Sequence, residues 1–308
     1  MPIAKANGIE IAYETTGDPR GTPLLLVMGL GMQLTAWPDD FVDGLAELGF
    51  YVIRYDHRDC GLSTKFDKAG TPSLFFTWLK SRIGWRMGAP YLLDDMADDA
   101  LGLLDWLRVP QAHVVGVSMG GMIAQVLAAR HPERVLSLTS MMSTTGRRSL
   151  PGPARAVREV LMRAPRHAMN RRGVIEHMVE VLHAIGSPSY PTPDAVLRQR
   201  VTRAIERNIC PGGVLRQLAA ITASGERCAL LQKLRVRTLV IHGAADPLVP
   251  LECGIDTASQ VEGAQLEVIE GMGHDIPSPL VERLVALIDA HAHGKMAFDP
   301  IVRLFEKQ

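Results

Sequence analysis

The sequence predicts an α/β protein with a mostly parallel central sheet, covered by helices on both faces and interrupted by a helical insertion. Short apolar runs typical of buried strands lie at residues 24–28, 51–55, 113–117, 238–242 and 266–269. Stretches with apolar residues at helical spacing lie at residues 40–48, 92–107, 122–130 and 280–293. Strands that alternate with helices run parallel, because each helix carries the chain back to the starting edge of the sheet.

The chain begins with a half-buried strand and contains one long segment without strands. Residues 9–15 alternate apolar and polar side chains, and residues 17–21 then form a predicted turn. Residues 145–230 carry helical patterns and several prolines but no convincing strand. We therefore expect a core domain of residues 1–144 and 231–308, with residues 145–230 as a helical insertion.

The charge balance argues against a nucleic-acid partner and singles out the insertion. Lys plus Arg and Asp plus Glu both number 33, so the protein as a whole has no field that attracts a polyanion. Residues 146–207, however, hold twelve Arg, no Lys and five acidic side chains. The simpler interpretation is a solvated helix surface that faces an acidic core domain. The alternative is that these arginines attract substrates with negative charge.

Composition and cysteine usage indicate a globular protein without a metal site or disulfide framework. Of the 308 residues 47% are hydrophobic and 21% are charged, as in an average soluble domain. The four cysteines lack CxxC spacing. The first residues lack the apolar stretch of a signal peptide, and no apolar run is long enough to span a membrane. We expect a cytoplasmic chain with no membrane span, no metal and no cofactor.

The segment Gly116-Val117-Ser118-Met119-Gly120 contains the candidate nucleophile. It fits the pattern G-x-S-x-G and lies between a strand-like and a helix-like run. A sharp turn at this place strains the central residue and lifts Ser118 clear of the sheet. The first amides of the following helix, starting with the Met119 N–H, then face any negative charge that develops beside Ser118.

A serine nucleophile needs a base and an acid, and two later segments supply them. His274 lies in Gly271-Met272-Gly273-His274-Asp275, between the last strand-like run and the last helix. Asp246 follows the run 238–242 directly. Both therefore belong at the carboxyl edge of the sheet, where Ser118 is also expected. The other nine histidines lack such a setting.

The order Ser118, Asp246, His274 resembles the α/β-hydrolase superfamily, and the resemblance covers residues from about 8 to 293. It implies that the insertion is a cap, and that the Leu30 N–H is the second donor of the oxyanion hole. Met28 stands where the family usually has histidine, which leaves the backbone donor in place and makes the floor of the site more apolar.

A second family motif lies just after the run 51–55. The segment from Asp56 to Ser63 resembles the turn D-x-R-G-x-G-x-S, with Asp59 in place of the first glycine. Asp56 and Arg58 are expected to be structural there.

Within the superfamily, four short pieces look like the aclacinomycin methylesterase branch, whose members hydrolyse esters on polyketide-type molecules. They are Leu-Val-Met-Gly, Val-Ile-Arg-Tyr-Asp-His-Arg-Asp, His-Val-Val-Gly-x-Ser-Met-Gly and Gly-Met-Gly-His. The resemblance implies a serine hydrolase that cleaves a small-molecule carboxylic ester, with a bulky apolar or polyketide-type ester as a candidate. A lactonase, a carbon–carbon hydrolase or a cofactor-free haloperoxidase or perhydrolase would use the same triad, so these activities stay open.

Several other features leave alternatives open. Met28, Met32, Met122 and Met272 lie in or beside the catalytic segments, which fits either an adaptable apolar pocket or ordinary core filling. The apolar tail 295–308 could pack on its own domain or on a second copy in a homodimer.

Two non-hydrolase functions are less favoured. A ligand-binding protein on this fold would not need an intact triad. A dinucleotide site requires a small residue where Leu34 stands.

Overall fold

The computed structural model describes residues 1–72, 89–163 and 170–295, and these contain one eight-stranded sheet. The strands are β1 Ile3–Ala6, β2 Ile9–Thr16, β3 Thr22–Val27, β4 Phe50–Tyr55, β5 Ala112–Val117, β6 Val135–Met141, β7 Thr238–Gly243 and β8 Gln265–Ile269. Their order is β1-β2-β4-β3-β5-β6-β7-β8. The pairs β1/β2 and β2/β4 are antiparallel and all other neighbours are parallel, so the predicted mostly parallel sheet is confirmed.

Ten α-helices accompany the sheet in the described residues. They are α1 Asp39–Glu47, α2 Leu93–Trp106, α3 Met119–Arg130, α4 Arg155–Met162, α5 Arg171–Ile185, α6 Asp194–Arg207, α7 Pro211–Ser224, α8 Cys228–Leu231, α9 Leu251–Gln260 and α10 Val281–Ala292. Helices α2 and α3 pack in one apolar cluster on one face of the sheet, and α1 and α10 pack in a second cluster on the other face. All six residues of the central strand β5 are buried between the two clusters.

The sequence pattern does not predict β1, β6 or α9. Strand β6 is the instructive case, because polar residues interrupt its apolar run although all of them are buried. Ser137 hydrogen-bonds to His113 Nδ1, and Ser140 accepts a hydrogen bond from the Gln125 side chain. A strand whose polar side chains find partners inside the protein does not show the continuous apolar run that marks its neighbours.

The insertion between β6 and β7 is helical, with α4 to α7 in its described part. Its own apolar cluster has three buried members, Val179, Leu197 and Val201. None of the helices described here is both long and apolar enough to cross a membrane. The predicted tail lies outside the described residues from position 296 onward.

Candidate active site

The carboxyl edge of the sheet brings the three predicted triad residues to one place. Ser118 follows β5 directly, Asp246 follows β7, and His274 follows β8. Because these strands are parallel members of one sheet, their following loops share the same edge.

Ser118 occupies a strained turn between β5 and α3. Its backbone has φ 56° and ψ −120°, a left-handed conformation that costs energy for a residue with a side chain. The turn is held on both sides. The Ser118 N–H donates to the Met141 carbonyl at 2.9 Å, and the Ser143 hydroxyl donates to the Ser118 carbonyl at 2.8 Å.

Two glycines allow the chain to make this turn. A Cβ on Gly116 would lie 2.3 Å from the Gly120 carbonyl oxygen, and a Cβ on Gly120 would lie 2.0 Å from the Val27 carbonyl oxygen. Both distances are impossible for a carbon atom. The glycines of the G-x-S-x-G pattern are therefore required because strand, helix and the neighbouring β3 touch backbone to backbone.

The two predicted oxyanion donors belong to the two segments that adjoin Ser118. Met119 is the first residue of α3, so its N–H has no partner within the helix. The loop of residues 28–32, here called the oxyanion loop, follows β3. A Cβ on Gly29 would lie 3.4 Å from Ser118 Cβ, so the residue before Leu30 is close to Ser118. The role of the Leu30 N–H stays a prediction.

The oxyanion loop is held from two sides. The Gly31 N–H donates to Gln217 Oε1 at 2.8 Å, and the Gln217 side-chain amide donates to the Arg58 carbonyl at 2.8 Å. On the other side His57 Nε2 lies 2.7 Å from the Met28 carbonyl oxygen. A carbonyl only accepts, so Nε2 carries the proton; burial lowers the pKa of His57, which keeps the ring neutral.

Asp246 and His274 form the acid–base pair that the sequence predicts. His274 Nδ1 lies 2.7 Å from Asp246 Oδ2. The other carboxylate oxygen accepts from the Leu248 and Val249 N–H groups at 2.9 and 2.8 Å. A carboxylate acceptor fixes the proton on Nδ1 and leaves Nε2 as the basic nitrogen, which is the tautomer that a serine hydrolase needs.

A second histidine lies near the acid without competing for it. His242 Nε2 is 3.8 Å from Asp246 Oδ2, but it donates to the Val249 carbonyl at 2.8 Å. Burial lowers the pKa of His242, so its ring is neutral beside the carboxylate. Glu270, another acid near this edge, is exposed.

The turn after β4 has structural contacts, as the motif implies. Asp56 accepts hydrogen bonds from the Leu34 and Leu62 N–H groups at 2.8 Å, and Arg58 pairs with Asp99 at 2.6 Å. Asp56 thus joins the turn after β4 to Leu34, and Arg58 joins it to α2.

Asp59, which replaces the family glycine, keeps the positive φ of that glycine at 65°. Both of its carboxylate oxygens bind Arg216 of α7 at 2.7 Å. The Tyr91 hydroxyl donates to it as well, at 2.7 Å. Asp59 thus connects the core domain to the insertion.

The methionines named from the sequence have mixed positions. Met28, Met122 and Met272 are buried members of the two apolar clusters that cover the sheet, and Met32 is partly buried against one of them. Their part in a substrate pocket stays a prediction.

Among the described residues, one group has the atoms to bind a metal ion: Asp59, Asp67 and Cys210. The Arg216 guanidinium lies among them, 2.7 Å from Asp59 and 3.0 Å from Asp67. Its positive charge already satisfies these carboxylates, so the donor set suits an ion pair better than a cation.

Four residues with contacts at the site were not predicted from the sequence. They are Gln217, Arg216, Ser187 and Asp275. Only Asp275 carried a signal, its place next to His274. The others lie in the insertion and meet the catalytic loops only in the folded chain.

Comparison with known proteins gives a consistent result. Residues 22–184 match the model of the alpha/beta hydrolase fold family. The chain is 32% identical to the rhodomycin D methylesterase of Streptomyces sp. (strain C5), over 91% of this chain and 94% of that protein. It is also 32% identical to the 2-hydroxymuconate semialdehyde hydrolase of Pseudomonas sp. (strain CF600), over 87% of this chain and 85% of that one.

A solved structure supports the fold alone. The meta-cleavage product hydrolase from Pseudomonas fluorescens IP01 superposes with a TM-score of 0.75 and 22% identity, over 96% of this chain and 98% of that chain.

Proposed function

Because this chain belongs to the alpha/beta hydrolase fold family, we propose that it hydrolyses a carboxylic ester through an acyl-enzyme on Ser118. The observation that carries the proposal is the 2.7 Å bond from His274 Nδ1 to Asp246, at the sheet edge where strained Ser118 stands. The likeness to a methylesterase over nearly the whole of both chains supports an ester as the substrate.

The first half of the reaction forms the acyl-enzyme. Ser118 Oγ attacks the ester carbonyl carbon while His274 Nε2 takes the hydroxyl proton. Asp246 stabilises the imidazolium through its bond to Nδ1. The N–H groups of Leu30 and Met119 hold the oxyanion. The tetrahedral intermediate then collapses, and the alcohol leaves with the proton from Nε2.

The second half regenerates the enzyme. A water molecule gives a proton to His274 Nε2 and attacks the acyl carbon. The new oxyanion uses the same two N–H groups, and Ser118 leaves with the proton from Nε2. One ester and one water become one carboxylic acid and one alcohol, with no other reactant consumed.

The substrate class follows from the relatives as a proposal. The likeness to the rhodomycin D methylesterase suggests a methyl ester, and a bulky apolar or polyketide-type acid is the candidate. The four methionines beside the catalytic segments would suit such an apolar body, because the unbranched thioether adapts to irregular shapes.

A second candidate is hydrolysis of a carbon–carbon bond, which the likeness to 2-hydroxymuconate semialdehyde hydrolase favours. The same triad serves both reactions. A panel of methyl, ethyl and butyl esters of one aromatic acid, beside a vinylogous dicarbonyl substrate, separates them. We expect turnover of the methyl ester that is lost in Ser118→Ala. Turnover of the dicarbonyl compound alone would make the second candidate the function.

We also propose that the insertion, residues 145–230, is a cap, a small domain over the carboxyl edge of the sheet that selects the substrate. Its contacts with the loops of the site support this. A cytoplasmic location and a homodimer remain proposals from the sequence. The four free cysteines agree with a reducing compartment.

A further inference from the structure

The loop that carries His274 is bound by the cap as well as by the sheet domain. This loop, Gly271–Asp275, is called the histidine loop here. The His274 N–H donates to the Ile185 carbonyl at 2.7 Å, and the Ser189 N–H donates to the Gly271 carbonyl at 3.2 Å. Ile185 is the last residue of α5, and Ser189 lies in the cap segment between α5 and α6.

Ser187 lies at the centre of these contacts. Its hydroxyl oxygen accepts from the Gly273 N–H at 2.8 Å, and its hydroxyl proton is donated to Asp275 Oδ1 in a short hydrogen bond. Gly273 and Asp275 are the two neighbours of His274. A single buried hydroxyl therefore ties both flanks of the candidate base to the cap.

The two segments approach each other closely. A Cβ on Gly273 would lie 2.3 Å from the Gly186 carbonyl oxygen, so the backbones are in direct contact. The Ser187 hydroxyl has one proton and uses it for Asp275, while a lone pair takes the Gly273 N–H. Removal of this hydroxyl leaves the buried Gly273 N–H unsatisfied. It also takes from Asp275 one of the two hydrogen bonds that Ser187 donates, the other being from the Ser187 backbone N–H.

Asp275 itself is a charged group close to the base. Burial raises its pKa, and hydrogen bonds from Ser187 together with the charges of His274 and Arg200 oppose that rise. The groups that face His274 are thus Asp246, Asp275 and His242. Ser187 binds the Asp275 carboxylate and so helps to set its position.

We propose that Ser187 is a positioning residue for His274: from the cap it fixes Gly273 and Asp275 and so sets the imidazole between Ser118 and Asp246. The inference rests on the proposed function, because it assigns His274 as the base. It makes the cap part of the catalytic machinery rather than only a selector of substrates.

The test measures how fast a small fluorophosphonate labels Ser118, which reports activation by His274 without a known substrate. Labelling and turnover of a short methyl ester are compared for wild type, Ser187→Ala, Asp275→Ala and the double variant. A misplaced base should lower kcat and the labelling rate roughly 10- to 100-fold in Ser187→Ala, with KM unchanged. The double variant should be no slower than the slower single variant, because both substitutions break one contact.

Two controls separate positioning from loosening of the cap. Ser187→Thr keeps the hydroxyl and should retain labelling close to wild type. Arg198→Gln breaks the pair with Glu176 inside the cap and should leave the labelling rate unchanged.

The outcomes separate the role of Ser187 from the proposed ester hydrolysis. Labelling of Ser187→Ala at the wild-type rate, or additive losses in the double variant, overturns the role of Ser187 while the proposed function stands. If Ser187→Ala does not fold, Asp275→Ala alone decides, and a wild-type labelling rate in that variant overturns the role. Absence of both labelling and ester turnover in wild type overturns the proposed function.

Discussion

The sheet domain and the cap differ in the interactions that stabilise each of them. Each face of the sheet is covered by a large apolar cluster, whereas the cap has three buried apolar residues in its own cluster. Burial of apolar area is non-directional, but hydrogen bonds and ion pairs require defined geometry. The polar contacts between the insertion and the loops that follow the strands therefore constrain both partners to one relative geometry.

The charge pattern of the sequence now has a structural explanation. Arginines of the cap bind carboxylates of the sheet domain: Arg207 with Asp56, Arg216 with Asp59 and Arg147 with Asp256. Others bind acids within the cap, as Arg198 does with Glu176. The excess of positive charge in the cap is thus matched to acids across the boundary. The attraction of substrates with negative charge by the exposed arginines stays a prediction.

The largest expected effect concerns the chemistry of the sheet domain. His274→Ala and Asp246→Ala should each lower kcat by several orders of magnitude, about 10⁴-fold or more, because base and acid act as one unit with Ser118. Steady-state turnover of a methyl ester measures this. The unfolding transition of each variant serves as control and should stay cooperative. Near-full activity in His274→Ala would remove the base assignment.

The next largest effect is expected on stability. It differs between a buried ion pair at the boundary of the sheet domain and the cap and an exposed ion pair within the cap. Arg216→Met leaves the Asp59 carboxylate buried without its cation and should cost about 3–5 kcal/mol of unfolding free energy. Arg198→Gln, which breaks a solvent-exposed pair, should cost far less. Urea denaturation measures both.

The double variant Asp59→Gly with Arg216→Met sharpens the comparison. It removes both charges and places glycine at a φ of 65°, so it should recover most of the lost stability. Equal losses of unfolding free energy in Arg216→Met and Arg198→Gln would show that the Arg216–Asp59 pair stabilises the protein no more than an exposed pair does.

A smaller effect distinguishes the domains by their response to acid. Burial first, and Arg237 next, lower the pKa values of His113 and His291 in the sheet domain from 6.5 to about 4. Between these values the unfolded chain binds more protons than the folded one, so stability is full above pH 6.5 and falls as the pH drops toward about 4.

Urea titrations at several pH values across this window measure the loss. His113→Gln should flatten the pH dependence. His183→Gln, a change at an exposed cap histidine paired with Asp194, should leave it as in wild type. The same slope in His113→Gln as in wild type would exclude His113 as a source of the acid sensitivity.

The smallest effect is expected for the arginines on the cap surface. Arg171 and Arg172 pair with Glu206 and Glu176, so their fields are partly cancelled and are screened further beyond roughly 8–10 Å. The variant with both changed to Gln should show the salt dependence of wild type, for an anionic and for a neutral ester of equal size. A steep fall of kcat/KM with salt for the anionic ester, lost in the variant, would restore electrostatic attraction of the substrate.

Most of the sheet and the candidate triad could be predicted because short contiguous stretches of residues indicate both. Ser118, Asp246 and His274 each follow a recognisable strand, and parallel strands bring such positions to one edge. The confirmed likeness to the methylesterase branch likewise rests on short contiguous pieces.

What the sequence could not predict is contact between distant segments. Asp59 and Arg216 are 157 positions apart, and Ser187 and Asp275 are 88 apart. No periodicity links such pairs. The replacement of a motif glycine by Asp59 is the one local sign that a buried cation must exist elsewhere.

The most direct measurement traps the enzyme during turnover of a methyl ester and determines its intact mass. The mechanism predicts an increase equal to the acyl group, located on the peptide that contains Ser118 and absent in Ser118→Ala. Turnover with an acyl group on another residue, or a Ser118→Ala variant that hydrolyses the ester at the wild-type rate, would contradict it.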